Sequence, residues 1–145
     1  MGDGAALADR IAERRAGVGD PGALVGELRR ALVLVPYDRG GLWTAEFGGI
    51  RWVCGFTDEA ALARFAEERA VVAGTEDASR SWEYAAFRGA RLLDEVIPAL
   101  GVPAGVAVNV ADPDGSMLFP PVVGIVPDAV AVDADVDVPG GGRGL

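Results

Sequence analysis

Apolar and polar positions alternate along this chain with two periods, one helical and one strand-like. From Ala5 to Ala16, Leu7, Ala8, Ile11, Ala12 and Arg15 share one side of a helical wheel, with Asp9, Arg10, Glu13 and Arg14 opposite. Gly17 to Gly19 breaks that pattern, and Asp20-Pro21 opens a second helix with Asp as N-cap and Pro at the first helical position. Leu24, Val25 and Leu28 form its apolar stripe. The run Ala31 to Tyr37 is continuously apolar and predicts a short central strand that Pro36 should end.

Period two then takes over. Two alternating runs flank Gly48-Gly49, which suits a two-residue hairpin turn with positive φ at both positions. Counting outward from that turn sets Phe47 opposite Ile50, Glu46 opposite Arg51, Ala45 opposite Trp52, Thr44 opposite Val53 and Trp43 opposite Cys54. One face therefore carries Trp43, Ala45, Phe47, Ile50, Trp52, Cys54 and Phe56, and is expected to be the core face. The other carries Thr44, Glu46, Arg51 and Val53, with Glu46 and Arg51 as a cross-strand charge pair.

The second arm runs into a helix capped by Thr57 or Asp58, with Ala61, Leu62, Phe65 and Ala66 inward. Trp82 to Phe87 alternates as a strand. A short helix follows with Leu92, Leu93 and Val96 inward, shortened by Pro98 and closed by Gly101. Gly105 to Val110 reads as a strand, and Ala111 to Ser116 as a turn. Met117 to Val126 is extended but interrupted at Pro120-Pro121, as an edge or bend. Val130 to Val138 alternates valine with aspartate as a last strand with an acidic face, and Pro139 to Leu145 is a flexible tail. The fold class is α+β: a single domain with an antiparallel or mixed β-sheet and helices packed mainly on one face. Residues 1–19 form an N-terminal helical segment, 20–138 the domain and 139–145 the tail.

Composition narrows the chemistry. The 145 residues carry 13 basic and 22 acidic side chains, a net charge of −9, with no His; every base is Arg. That balance argues against nucleic-acid binding, which needs clustered bases against phosphate. Without His there is no imidazole acid–base pair, and a single Cys supplies neither an internal disulfide nor a thiolate zinc site. No cofactor is indicated, no apolar run reaches the roughly 20 residues of a membrane helix, and the charged start is unlike a signal peptide, so residence is expected to be cytoplasmic.

An apolar strand ending in Val35-Pro36 leads into a hairpin with Arg51-Trp52. Phe56-Thr57-Asp58, Leu92-Leu93 and Ala107 to Asn109 follow in order. This succession resembles the N-terminal domain of the SseB family, labelled for enhanced serine sensitivity or as secretion-associated. The resemblance spans about Leu28 to Val126. Family members usually follow the Asn with Pro-Gly, where this chain has Val110 and Ala111. The resemblance implies an α+β fold and no established enzymatic activity, and it transfers no catalytic residue.

The candidate sites follow from this. Cys54 faces inward by strand phase and reads as core. Asp112 to Ser116 starts like a calcium loop but lacks the required Gly and Glu, so it reads as turn chemistry. The candidate partner surface is Asn109, Phe119, Pro120 and Pro121 as a groove, together with the acidic ridge Asp133, Asp135 and Asp137; the structural alternatives, which weigh more, are that the Asn109 amide caps the turn after it and that the ridge is a solvated edge. The expected function is a non-enzymatic protein-binding or adaptor/regulatory module, with a link to secretion suggested by the resemblance; the alternative is a small-ligand sensor or accessory protein in amino-acid metabolism.

Overall fold

The computed structural model describes residues 3–38, 41–73 and 83–133. Helix α1 (Asp3–Arg15) and helix α2 (Pro21–Arg30) lead into β1 (Leu32–Asp38), followed by β2 (Gly41–Leu42), β3 (Thr44–Phe47) and β4 (Ile50–Gly55). Helix α3 (Glu59–Ala73) and β5 (Tyr84–Arg88) come next. The fourth helix, α4, is composite: an α-turn Gly89–Arg91, a wide π-turn Leu92–Val96, and an α-turn Ile97–Ala99. Strands β6 (Ala104–Val108) and β7 (Met117–Phe119) precede a short 3-10 turn at Asp128–Val130. Among the described residues no helix is long and apolar enough to cross a membrane.

The strands form an antiparallel sheet, β2-β1-β5, and a mixed sheet, β3-β4-β6-β7, in which β4 and β6 run parallel. The two sheets are stitched where Leu34 and Phe56 exchange N–H···O=C bonds of 2.9 and 2.8 Å. The fold is thus the expected single α+β domain. Helices α1, α2 and α4 share one core with Val33, Val35, Val53, Val106, Val108 and Phe119, while α3 covers the opposite face through Cys54, Phe56, Ala61, Leu62 and Phe65. Leu7 and Ile11 of α1 are fully buried in the larger core, so the boundary drawn at residue 19 cuts through one packed unit.

Local signals explain most elements. The Asp20 carboxylate accepts the Ala23 N–H at 2.8 Å, capping α2 over Pro21. Asp58, not Thr57, caps α3, accepting the Ala61 N–H at 2.8 Å. The hairpin pairs in the counted register from Thr44↔Val53 to Phe47↔Ile50, with φ of 65° and 80° at Gly48 and Gly49.

Four expectations are corrected. Pro36 lies inside β1 instead of ending it. The amide of Leu34 points to Phe56, and that of Tyr37 points to β5 through Glu83 O. By alternation the missing N–H of Pro36 falls on the side away from β5, where the Pro36 carbonyl still accepts the Trp43 N–H at 2.8 Å, so the β1–β5 ladder keeps its donors. In α4 Leu92 and Leu93 are buried as expected and Val96 packs half-buried on the same core, but the expectation missed Ile97, which is fully buried because its N–H bonds back five residues to Leu92 O. The wider turn comes just ahead of Pro98, whose ring would clash with the Asp94 carbonyl in an unbroken α-helix.

The hairpin's aromatic face is only partly core. Cys54 and Trp52 are buried, but so is Val53 on the other face, because β4 lies between two strands with helices on both sides of its sheet; Ala45 and Phe47 on β3 are exposed. Finally, the expected last strand begins as a 3-10 turn. The Val130 and Ala131 N–H groups bond to Pro127 and Asp128 carbonyls at 3.0 and 3.2 Å, Pro127 having set the turn's entry. Residues 134–138 of that expected strand, the 139–145 tail and Trp82 lie outside the described residues.

Candidate functional site

Asn109 ends β6 in the left-handed region, with φ 53°, and is only 4% exposed. Its Oδ1 accepts the Thr57 N–H at 3.1 Å and its Nδ2 donates to Thr57 Oγ1 at 3.0 Å, while its own N–H reaches Gly55 O at 2.9 Å. The residue therefore clamps the end of β6 to the β4–α3 junction. The following loop is held from two further sides. Arg64 on α3 grips Asp112 through two bonds of 2.5 and 2.8 Å, and Arg15 on α1 donates to the Pro113 and Ser116 carbonyls at 2.9 and 3.0 Å. The turn read from Asp112 to Ser116 is present, with the Gly115 N–H on Asp112 O at 3.2 Å.

The groove expected from the sequence does not form. Antiparallel pairing sets Phe119 beside Val106 and Met117 beside Val108, so Pro120 falls level with Gly105. Asn109 lies four residues further along β6, roughly 13 Å away at strand rise. Phe119 and Pro121 are buried and Pro120 is half-buried, so the aromatic–proline run packs into the fold instead of lining a surface with Asn109. Of the acidic ridge, Asp133 accepts the Val123 N–H at 2.8 Å and so serves its own turn; Asp135 and Asp137 lie outside the described residues.

Cys54 is core, as its strand phase implied. Burial pushes its thiol up from 9.0 to about 11, with Arg69 pulling weakly the other way. A thiol held protonated in this way is a poor nucleophile. Around it, Phe65 packs edge-on against Trp43 with ring centroids 5.6 Å apart, and the Arg69 guanidinium lies 5.3 Å over the Trp43 ring. Elsewhere on the α3 side, the Tyr84 hydroxyl bonds to the Glu59 carboxylate, which raises the phenol's pKa.

The surface that does stand out was not picked from the sequence. Phe47, at the hairpin turn, is 72% exposed, the highest value among the exposed large apolar side chains described. Ile50 pairs with it and is half-buried, and the Arg51 N–H bonds to Pro103 O at 3.0 Å. That bond brings the exposed α4–β6 loop, with Val102 and Pro103, level with the hairpin end. Phe47, Ile50, Val102 and Pro103 together make an apolar end to the mixed sheet. The signal was a Phe directly before a Gly-Gly turn, a position beyond which the hairpin has nothing to pack against it.

Charge at this end is nearly balanced. Glu46 and Arg51 approach to only 3.9 Å, and Arg51 donates instead to Thr44 Oγ1 at 3.1 Å. The Trp52 indole N–H reaches the Phe47 carbonyl at 3.2 Å and braces the turn from beneath. Such an end can bury apolar surface against another protein; it gathers no set of groups for acid–base or nucleophilic work. Comparison with known proteins returned no matching family model, no matching curated protein and no matching solved structure.

Proposed function

We propose that this domain is a non-enzymatic protein-binding module that docks a protein partner through the hairpin end, with Phe47 as its anchor. The observation that carries the reading is the exposure of Phe47 at 72%, on a turn braced by Trp52. Aromatic side chains held on a rigid base and flanked by smaller apolar groups are the usual energetic centres of protein interfaces. The SseB-like order of landmarks is consistent with it and suggests a cytoplasmic regulatory or secretion-associated assembly as the setting.

A small-ligand sensor would need polar side chains converging on a cavity. Every buried side-chain nitrogen and oxygen among the described residues already has a partner within the chain. The test is quantitative co-purification from a lysate of the source organism. It uses the wild-type chain, Phe47→Ser, and Val18→Ser as a control on the exposed α1–α2 turn. Partners retained by wild type and Val18→Ser but lost from Phe47→Ser support the proposal. An identical partner list for all three overturns it.

A further inference from the structure

We infer that the β3 edge of this domain pairs with the β3 edge of a second copy, giving a two-fold antiparallel dimer centred on Ala45. The inference deepens the reading of the hairpin end as a contact surface by naming an occupant. Phe47↔Ile50 closes the two-residue turn and is therefore a hydrogen-bonded pair. The alternation makes Ala45↔Trp52 another, and the Cys54 N–H on Trp43 O at 3.4 Å continues it. The N–H and C=O of Thr44 and Glu46 consequently point away from β4. No hydrogen bond among the described residues reaches them. An exposed edge of this kind is a template for another extended strand.

The pattern on that edge is self-complementary. Antiparallel pairing about Ala45 sets Thr44 of each copy opposite Glu46 of the other, so the outward donors and acceptors of both residues meet in register. Thr44 Oγ1 already accepts from Arg51 Nη1 at 3.1 Å, which leaves the hydroxyl proton to donate. The Glu46 carboxylate is 66% exposed and only loosely held by its own Arg51 at 3.9 Å, so it is open to accept it. The run Arg51–Thr44–Glu46 would then cross the interface twice. On the other face the small Ala45 side chains meet at the axis, and Phe47 of each copy comes level with Trp43 of the other, an aromatic cross-strand pair. A bulky residue at position 45 would block this approach.

The test is sedimentation velocity of the full chain over a wide concentration range, in moderate salt that screens the like charge of two chains at −9 each. It is combined with amide hydrogen exchange at the two extremes of concentration. The expected result is a mass rising from one chain toward two, with slowed exchange at the Thr44 and Glu46 amides only when concentrated. Glu46→Pro deletes one outward donor without touching the β3–β4 ladder and should abolish the rise. Ala45→Trp, which crowds the axis, should do the same if the proline variant fails to fold. A monomer at every concentration overturns the inference, as does a dimer that persists in these variants with unchanged exchange at residues 44 and 46. Either failure leaves the partner-binding reading to its own co-purification result.

Discussion

Replacing Asn109 separates the two tasks assigned to it, bonding and backbone shape. Asn109→Gly keeps the left-handed conformation at φ 53° but deletes both bonds to Thr57, of 3.1 and 3.0 Å. At about 1 kcal/mol net for each neutral hydrogen bond, the loss is about 2 kcal/mol. Asn109→Ala deletes the same bonds and also forces an ordinary L-residue into the left-handed region, which adds about 1 kcal/mol. The expected order of stability is wild type, then Gly, then Ala at about 3 kcal/mol below wild type. That reverses the usual advantage of Ala over Gly. Thr57→Val, which keeps the backbone donor and removes only the hydroxyl, should cost about 1 kcal/mol. Urea unfolding followed by tryptophan fluorescence and far-UV circular dichroism, with coincident transitions as the two-state check, measures all three. An Ala variant as stable as wild type, or more stable than the Gly variant, would refute the clamp.

Further outcomes bear on packing and charge. A Cβ on Gly89 would lie 1.8 Å from the Leu28 carbonyl oxygen and 2.6 Å from its carbon, both backbone atoms at the end of α2. Gly89→Ala should therefore cost about 3 kcal/mol by urea unfolding, against about 1 kcal/mol for Gly49→Ala, whose only penalty is its positive φ; near-equal costs would contradict the close approach. Because burial raises the Cys54 pKa from 9.0 to about 11, the fold favours the neutral thiol. That contribution is complete below about pH 9 and lost as pH rises through about 11, amounting to about 2 to 3 kcal/mol. Subtracting the pH profile of Cys54→Ala from that of wild type isolates it from Tyr84, whose phenol pKa is also raised by its bond to Glu59; parallel profiles would refute it. A double-mutant cycle on Arg64 and Asp112, whose side chains are 51% and 21% exposed, should give a coupling of about 0.5 to 1 kcal/mol that weakens with salt; a coupling several times larger, or insensitive to salt, would contradict a surface clasp.

Much of the fold was legible because some signals in the sequence are local. Gly48-Gly49 between runs of period two admits one turn geometry, and counting from it gave every hairpin partner. Asp20-Pro21 and the Ala61, Leu62, Phe65, Ala66 stripe likewise depend on one helix at a time. What escaped depends on neighbours distant in sequence. Pro36 sits inside a strand because its missing N–H points away from β5, whose ladder the Tyr37 amide extends through Glu83 O. Ile97 is buried more deeply than Val96 because a five-residue hydrogen bond re-phases α4 before Pro98.

The candidate site was harder to read for the same reason. Asn109 and Phe119-Pro120-Pro121 are close in sequence, yet β6 and β7 run antiparallel, so the turn between them carries the two groups to opposite ends of β6. Phe47 was assigned inward by strand phase alone. Phase settles which face a residue occupies, whereas exposure depends on whether another element covers that face at that point.

Site-specific photo-crosslinking addresses the central claim most directly. A benzophenone amino acid placed at position 47, and separately at position 18, is expressed in the source organism and irradiated. A discrete crosslinked protein species at 47, absent at 18, is the predicted result. Equal or no crosslinking at the two positions would contradict a protein-binding role for the hairpin end.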